Sequence, residues 1–321
     1  MKKNILFIIL LSFISVGSFA QEEATAKTEA EEKDFPVNAT FESGLLIDAQ
    51  TVVIPEAKTL EMIIQHKFGT LEKGRTDLWG IYGSANIRLG LNYVPVKNLQ
   101  IGAGITKKSV AGEKNITDLN AKWTILQQTR KNTIPVSVAL YGVIGIDGKD
   151  YTGLVENVSV ASPSPLAEIN KVAFTDRLSY FSELMVARKF CDWFSLQAAV
   201  SFSHYNMVHY QKAGSPYDHD KIGVHVNGRI KVTPQGSIIF NYDQPLKIKD
   251  ISEQSEWNDN YPHPKSNIAF GYEVSTGTHA FQVYMASTTS LLPQDNIMWN
   301  QNEMNNKGFA IGFTITRLWA Y

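Results

Sequence analysis

The chain has 321 residues, of which 30 are Lys or Arg and 31 are Asp or Glu, so its formal net charge is −1. This balance gives no support to the concentrated basic face that nucleic-acid binding requires, and no nucleic-acid partner is expected. A single cysteine, Cys191, excludes an internal disulfide and the paired cysteines of a c-type haem motif. We expect no cofactor.

The first twenty residues predict a secretory signal peptide. Lys2 and Lys3 form a positively charged start, residues 5–16 are apolar, and residues 18–20 (SFA) have the small-x-small pattern of a cleavage site. The alternative is an N-terminal membrane anchor, for which the apolar stretch is short. We therefore expect cleavage after Ala20 and export across the inner membrane.

Residues 21–36 predict an acidic, flexible leader. The segment QEEATAKTEAEEKDFP has six acidic residues, two lysines and one aromatic residue near its end. Such a composition buries too little apolar surface to fold by itself. Residues 37–58 follow as an N-terminal strand-like segment with a more apolar sequence.

From residue 59 to the end, apolar residues alternate with polar or small ones, which is the period of β-strands. In IGVHVNGRIKV, residues 222–232, the apolar Ile222, Val224 and Val226 alternate with Gly223, His225 and Asn227. No later stretch reaches the roughly 18 uninterrupted apolar residues of a transmembrane helix. Twelve strands are predicted, at residues 60–68, 85–93, 99–106, 118–127, 135–146, 177–190, 193–205, 221–233, 237–243, 266–274, 279–287 and 308–321.

The connections between these predicted strands alternate between short and long, which distinguishes a membrane barrel from a soluble sandwich. Outer-membrane barrels have an even number of strands, short periplasmic turns and longer outside loops. A closed sheet also pairs every backbone group that lipid would otherwise leave without a partner. The sequence thus predicts an all-β fold, an antiparallel transmembrane β-barrel of about 12 strands over residues 59–321, in the bacterial outer membrane. The short connections lie at 95–98, 129–134, 191–192, 234–236 and 275–278, and the longer ones at 70–83, 108–117, 148–176, 207–219, 245–264 and 289–307.

Residues 41–54 (FESGLLIDAQTVVI) form a thirteenth strand-like stretch, which an even strand count does not accommodate. Three positions stay open for it: pairing in the periplasm, insertion into the lumen, or a place in the barrel wall.

The last fourteen residues, GFAIGFTITRLWAY, predict the strand that closes the barrel. Large apolar residues alternate with small or polar ones, and the aromatic Trp319 and Tyr321 fall where the membrane interface is expected. Arg317 breaks the apolar pattern, but a long side chain near an interface can extend its charge into water.

Several stretches resemble the DUF5777 family of predicted outer-membrane β-barrels of Bacteroidota: TFESGLLIDAQTV, MIIQHKFG, ANIRLGLNYVPVKNLQIGAGI, RLSYFSELMVARKF, STGTHAFQV and GFAIGFTITRLWAY. The resemblance covers roughly residues 38–321 and implies a barrel in the outer membrane, in contact with its lipid, with no catalytic residues. The last strand also resembles the C-terminal signal that the barrel assembly machinery selects. Phe313, Ile315, Trp319 and Tyr321 would carry that signal here, with Arg317 as a departure from it.

The predicted inward face carries charges of both signs. One interpretation is a polar channel or a binding cavity for a small solute, and the other is an interior that its own salt bridges fill. A non-conducting structural or surface-interaction barrel is the alternative function. Eight inward-facing residues are candidates for binding: Lys67, Arg88, Lys122, Glu183, His225, Arg229, Lys231 and Glu273.

The sequence gives little support for catalysis or metal binding. Ser201 and Ser203 face one side of their predicted strand while His204 faces the other, so they cannot form a serine–histidine pair. A membrane-embedded hydrolase is therefore only a third alternative, and we expect no enzyme. No metal site is expected either, because the histidines and aspartates in or beside two outer loops lack the spacing of a zinc motif: His204, His209, His219, His263, Asp218 and Asp220.

Overall fold

The structure is a computed structural model that describes residues 33–108, 115–148, 173–207, 219–248, 263–304 and 307–321. The expected signal peptide, its cleavage site and most of the acidic leader lie outside these residues. Among the described residues, no helix combines the length and the apolar character needed to cross a bilayer.

Twelve antiparallel strands close into a barrel in which each strand pairs with its neighbours in the chain, and the last strand pairs with the first. All twelve predicted strands are confirmed. Two short strands, β1 (Leu45–Leu46) and β2 (Ala49–Gln50), form a hairpin that precedes the barrel. The barrel strands are β3 (Thr59–Thr70), β4 (Asn86–Val96), β5 (Leu99–Lys107), β6 (Ile116–Leu126), β7 (Ser137–Asp147), β8 (Leu178–Lys189), β9 (Phe194–Tyr205), β10 (Asp220–Lys231), β11 (Gly236–Pro245), β12 (Asn267–Ser275), β13 (His279–Ala286) and β14 (Ala310–Ala320).

Alternation along each strand gives the wall an apolar outside and a polar inside. On β4, Leu89 is 56% exposed on the outside, whereas Arg88 is 6% exposed on the inside. Gly90 also faces inward, where a Cβ atom would lie 2.8 Å from the Arg88 guanidinium. An apolar outer belt around a polar interior is the arrangement that a bilayer requires.

The final strand closes the barrel as predicted. β14 pairs with β3 from Ala310 to Ala320, with Phe313 opposite His66 and Trp319 opposite Leu60. The Arg317 guanidinium lies 5.0 Å from the centre of the Trp319 ring, so the residue that breaks the apolar pattern packs on an aromatic face.

Residues 38–58, here called the inner segment, lie largely inside the barrel, so the structure selects lumen insertion among the three positions left open. The segment enters at the end where the short turns lie, here called the turn end. Its hairpin reverses at Ile47, which has a φ of 58°. Phe41, Leu46 and Ile47 are each 0% exposed and join an apolar cluster with inward-facing wall residues.

A second insertion enters from the opposite, loop end. Residues 287–304, here called the loop segment, include α1 (Pro293–Trp299), which begins with a proline at its first turn. Five successive residues of α1, from Gln294 to Met298, are buried. The interior is therefore occupied from both ends by chain that does not belong to the wall.

Candidate binding site inside the barrel

All eight residues predicted to line the lumen do face the interior. Seven are almost completely buried, and Lys231, close to the turn end, keeps part of its side chain exposed. The inward direction was predictable because it follows from strand alternation alone. What they contact was not predictable, since most of them bind this chain's own inserted segments.

Charged candidates attach the inner segment to the wall. Lys67 on β3 forms a buried ion pair with Asp48. Lys122 on β6 donates to the Gly44 carbonyl over 2.9 Å. Arg229 on β10 lies 2.6 Å from the Glu42 carboxylate, with Lys231 at 3.4 Å from the same oxygen, and Glu273 on β12 accepts from the Ser43 hydroxyl over 3.2 Å.

Two inward-facing glutamines, which are not among the eight candidates, satisfy the backbone of the inner segment. Gln197 on β9 accepts from the Val52 N–H over 3.0 Å and donates to the Gln50 carbonyl over 2.7 Å. Gln282 on β13 accepts from the Ile47 N–H and donates to the Leu45 carbonyl, both over 2.8 Å. Buried backbone groups need such partners, so a neutral inward glutamine was the available signal.

Arg88 instead binds other residues of the wall. Its guanidinium contacts both Asp118 oxygens, with Nε at 3.0 Å and Nη2 at 2.6 Å, and it also donates to Gln65. Gly104 makes room for this bidentate pair, because a Cβ there would lie 2.6 Å from Arg88 Nη2.

The loop segment is held by uncharged donors and by an ion pair in which Lys108 Nζ lies 2.8 Å from Asp295 Oδ2. Asn296 on α1 donates to Asp243 over 2.8 Å, and Tyr205 donates its hydroxyl to Asp295. Asn86 donates to the Thr289 carbonyl over 2.7 Å. Lys67 also reaches this segment, donating to the Ser290 carbonyl over 2.7 Å, so a single ammonium group connects both insertions.

Between the two insertions, His225 on β10 bridges Ser201 and Asp243. Its Nδ1 lies 2.7 Å from Asp243 Oδ1 and its Nε2 lies 2.7 Å from Ser201 Oγ. The sequence correctly excluded His204 as a partner of Ser201 but did not find His225. Only the register reveals the pair, because Ser201 lies opposite Gly223, two residues from His225 on the same inward face.

This order of groups is that of a serine hydrolase, but the surroundings do not support acyl transfer. Ser201 lies within a strand that is paired on both sides, so its own N–H is committed to the sheet and is no oxyanion donor. Glu183 lies directly opposite Ser201, where its carboxylate would oppose a developing negative charge. Ile297 of α1 also packs at Gly223, over the site.

In the part of the chain that the structure describes, no three His, Cys, Asp or Glu side chains are placed to hold a metal ion. His204 Nδ1 lies 2.7 Å from Asp220, and the His219 ring centre is 6.1 Å from that of His204. Burial lowers the pKa of His263, at the loop end, to about 4, so its imidazole is neutral at physiological pH. His209 and Asp218 lie outside the described residues.

Comparisons with known proteins agree with this architecture. The family model described as a membrane-bound β-barrel domain, DUF5777, matches residues 41–319. Among curated proteins, no sequence matches this chain.

Several solved structures resemble the chain. An outer-membrane channel from Pseudomonas putida F1, COG4313, is 12% identical with a TM-score of 0.48, and the match covers 83% of this chain and 97% of that one. The KdgM porin is 8% identical with a TM-score of 0.41, over 82% of this chain and 99% of that one. The CymD monoaromatic hydrocarbon channel is 9% identical with a TM-score of 0.41, over 83% and 90%. Sequence identities and TM-scores this low give no information about a solute.

Proposed function

This chain belongs to the DUF5777 family of membrane-bound β-barrel domains, and from that premise we propose that it binds a small solute inside an outer-membrane barrel and passes it when an inserted segment moves. The solute would meet the inward polar side chains that neither insertion occupies. No cofactor and no catalytic step take part.

The observation that carries the proposal is the way in which the interior is closed. Twelve strands enclose more space than the eight-stranded barrels that side chains alone can fill. Here that space is occupied by two separate pieces of chain, each attached to the wall by hydrogen bonds. A cavity of ≈ 570 Å³ also opens at the turn end between the inner segment and the wall, lined in part by Thr40, Val53 and Thr124.

The outer membrane is proposed because of the sequence patterns at residues 1–20 and in the closing strand. The pattern at residues 1–20 is that of an export signal, and the closing strand ends on aromatic residues. Phe313, Ile315, Trp319 and Tyr321 would present the chain to the barrel assembly machinery. Deleting residues 319–321 should then leave the protein unassembled, while normal recovery of the truncated chain in outer membranes would reject this role.

The proposal is tested by ion current in planar bilayers and by solute-dependent swelling of liposomes. The folded wild type should show infrequent openings, and a variant lacking residues 33–54 should conduct more because the wall is a separate closed sheet. If the folded deletion variant gives neither current nor swelling, the alternative of a non-conducting structural or surface-interaction barrel is correct.

A further inference from the structure

Glu183 on β8 is a buried carboxylate without a bonded partner. It faces the interior and is 4% exposed, yet within the described residues it makes no hydrogen bond or ion pair. The hydroxyl of Tyr141, directly opposite on β7, likewise makes none. The polar atoms of both groups keep a small accessible area, unlike the fully enclosed unpaired atoms elsewhere in the protein. Both groups therefore border a gap inside the barrel. A buried charge without a partner is costly, and this position therefore suits a ligand.

The nearest cationic side chains are committed elsewhere. Lys122 lies opposite Tyr141 on β6, but its ammonium donates to the Gly44 carbonyl over 2.9 Å and to Gln50 Oε1 over 3.2 Å. His225 uses both ring nitrogens, on Asp243 and Ser201. Among the described residues, no cation of the chain forms a hydrogen bond with the Glu183 carboxylate.

The side chains beside Glu183 are aromatic rings and the thioether of a methionine. Phe181 precedes it by two residues on the same face, and the ring centres of Tyr141 and Phe181 lie 6.4 Å apart at an angle of 65°. Met185 follows it by two residues and is 0% exposed. Aromatic faces attract organic cations, whereas Ca²⁺ or Mg²⁺ would require several oxygen ligands. One carboxylate beside two rings therefore favours an organic cation.

We infer that Glu183, Tyr141 and Phe181 bind a small organic ammonium ion between the inner segment and the loop segment. The carboxylate supplies the opposite charge, and the two rings contact the apolar substituents on the nitrogen. This inference rests on the proposed function, of which it names the solute class.

Equilibrium dialysis of the purified, folded protein against radiolabelled choline tests the inference. Dialysis also gives choline time to pass the inserted segments slowly. The wild type should retain choline. Unlabelled tetramethylammonium should displace it, whereas 3,3-dimethylbutan-1-ol, which has the shape of choline without the charge, should not.

Two variants identify the residues. Glu183→Gln keeps the side-chain volume and should lower the affinity at least about tenfold, because a charged partner is lost. Tyr141→Leu should lower it several-fold through loss of the ring. Glu72→Gln removes the same charge from an exposed position at the loop end and should bind as the wild type does. Heat-modifiable migration on gels confirms that each variant is folded.

Absence of retention by the wild type, or equal retention by folded Glu183→Gln, overturns the inference. Liposome swelling with the neutral sugar arabinose separates this failure from failure of the proposed function. Swelling without choline retention rejects the ammonium site and leaves the passage proposal in place. Retention that depends on Glu183 without any swelling supports the site and rejects passage.

Discussion

The two inserted segments close the same barrel with different chemistry. The inner segment is attached by buried charges, through Lys67–Asp48 and Arg229–Glu42, and its apolar residues belong to the main apolar cluster. The loop segment is attached by amide and hydroxyl donors and by one ion pair, Lys108–Asp295, whose lysine is partly exposed, and its buried Leu291 and Ile297 lie outside that cluster. Because paired buried charges and shared apolar contacts are the more costly to break, we expect the loop segment to move first.

Lys67→Met should have the largest effect, because it damages the attachment of both segments. It leaves Asp48 buried without its counter-ion, a loss of about 3–5 kcal/mol in the free energy of unfolding. Guanidinium unfolding in detergent measures the change, and Lys73→Met, on the exposed stretch after β3, is the matched control. If the two variants unfold at the same denaturant concentration, the Lys67–Asp48 pair does not hold the inner segment.

Leu89→Arg tests the wall independently of the two inserted segments. A charge on the lipid side costs about 2–4 kcal/mol at mid-bilayer, while neither segment contacts this face. Gly90→Arg is the comparison, since it adds the same side chain to the inward face, where it crowds the Arg88 guanidinium. Heat-modifiable migration on gels should show that Leu89→Arg folds less completely than Gly90→Arg. Normal folding of Leu89→Arg together with loss of Gly90→Arg would mean that the two faces are assigned the wrong way round.

Asn296→Ala should have a smaller effect, confined to the loop segment. Asp243 keeps its contacts with His225, Asn241 and Asn267 after the substitution, so only about 0.5–1.5 kcal/mol is lost. The frequency of openings in planar bilayers should rise roughly two- to tenfold. Openings as rare as in the wild type would show that α1 does not limit conduction.

Ser201 should show no reactivity at all, although it lies 2.7 Å from His225. Incubation with a fluorophosphonate followed by mass spectrometry of the peptide checks this expectation. Labelling of Ser201 in the wild type, abolished in His225→Ala, would reinstate the hydrolase alternative.

Strand alternation made the wall predictable, but not what fills it. The side of every residue follows from the period of two, so Leu89 outward and Glu183 inward could be read from the sequence. The contact of Ser201 with His225 depends on the register between two strands separated by a long loop, which alternation leaves open. Residues 41–54 alternate like a wall strand, and only their partners, such as Gln197 and Gln282, reveal the lumen position.

The most direct test compares single cysteines in the two segments of a Cys191→Ser background. Ile47→Cys lies in the inner segment and Ile297→Cys in the loop segment, at positions that are 0% and 1% exposed. A membrane-impermeant maleimide is added to intact cells, and the rate of labelling is followed by mass spectrometry. We predict slow but measurable labelling at position 297 and none at 47. Equal rates, or faster labelling at 47, would contradict an outer-membrane barrel whose loop segment moves while its inner segment stays in place.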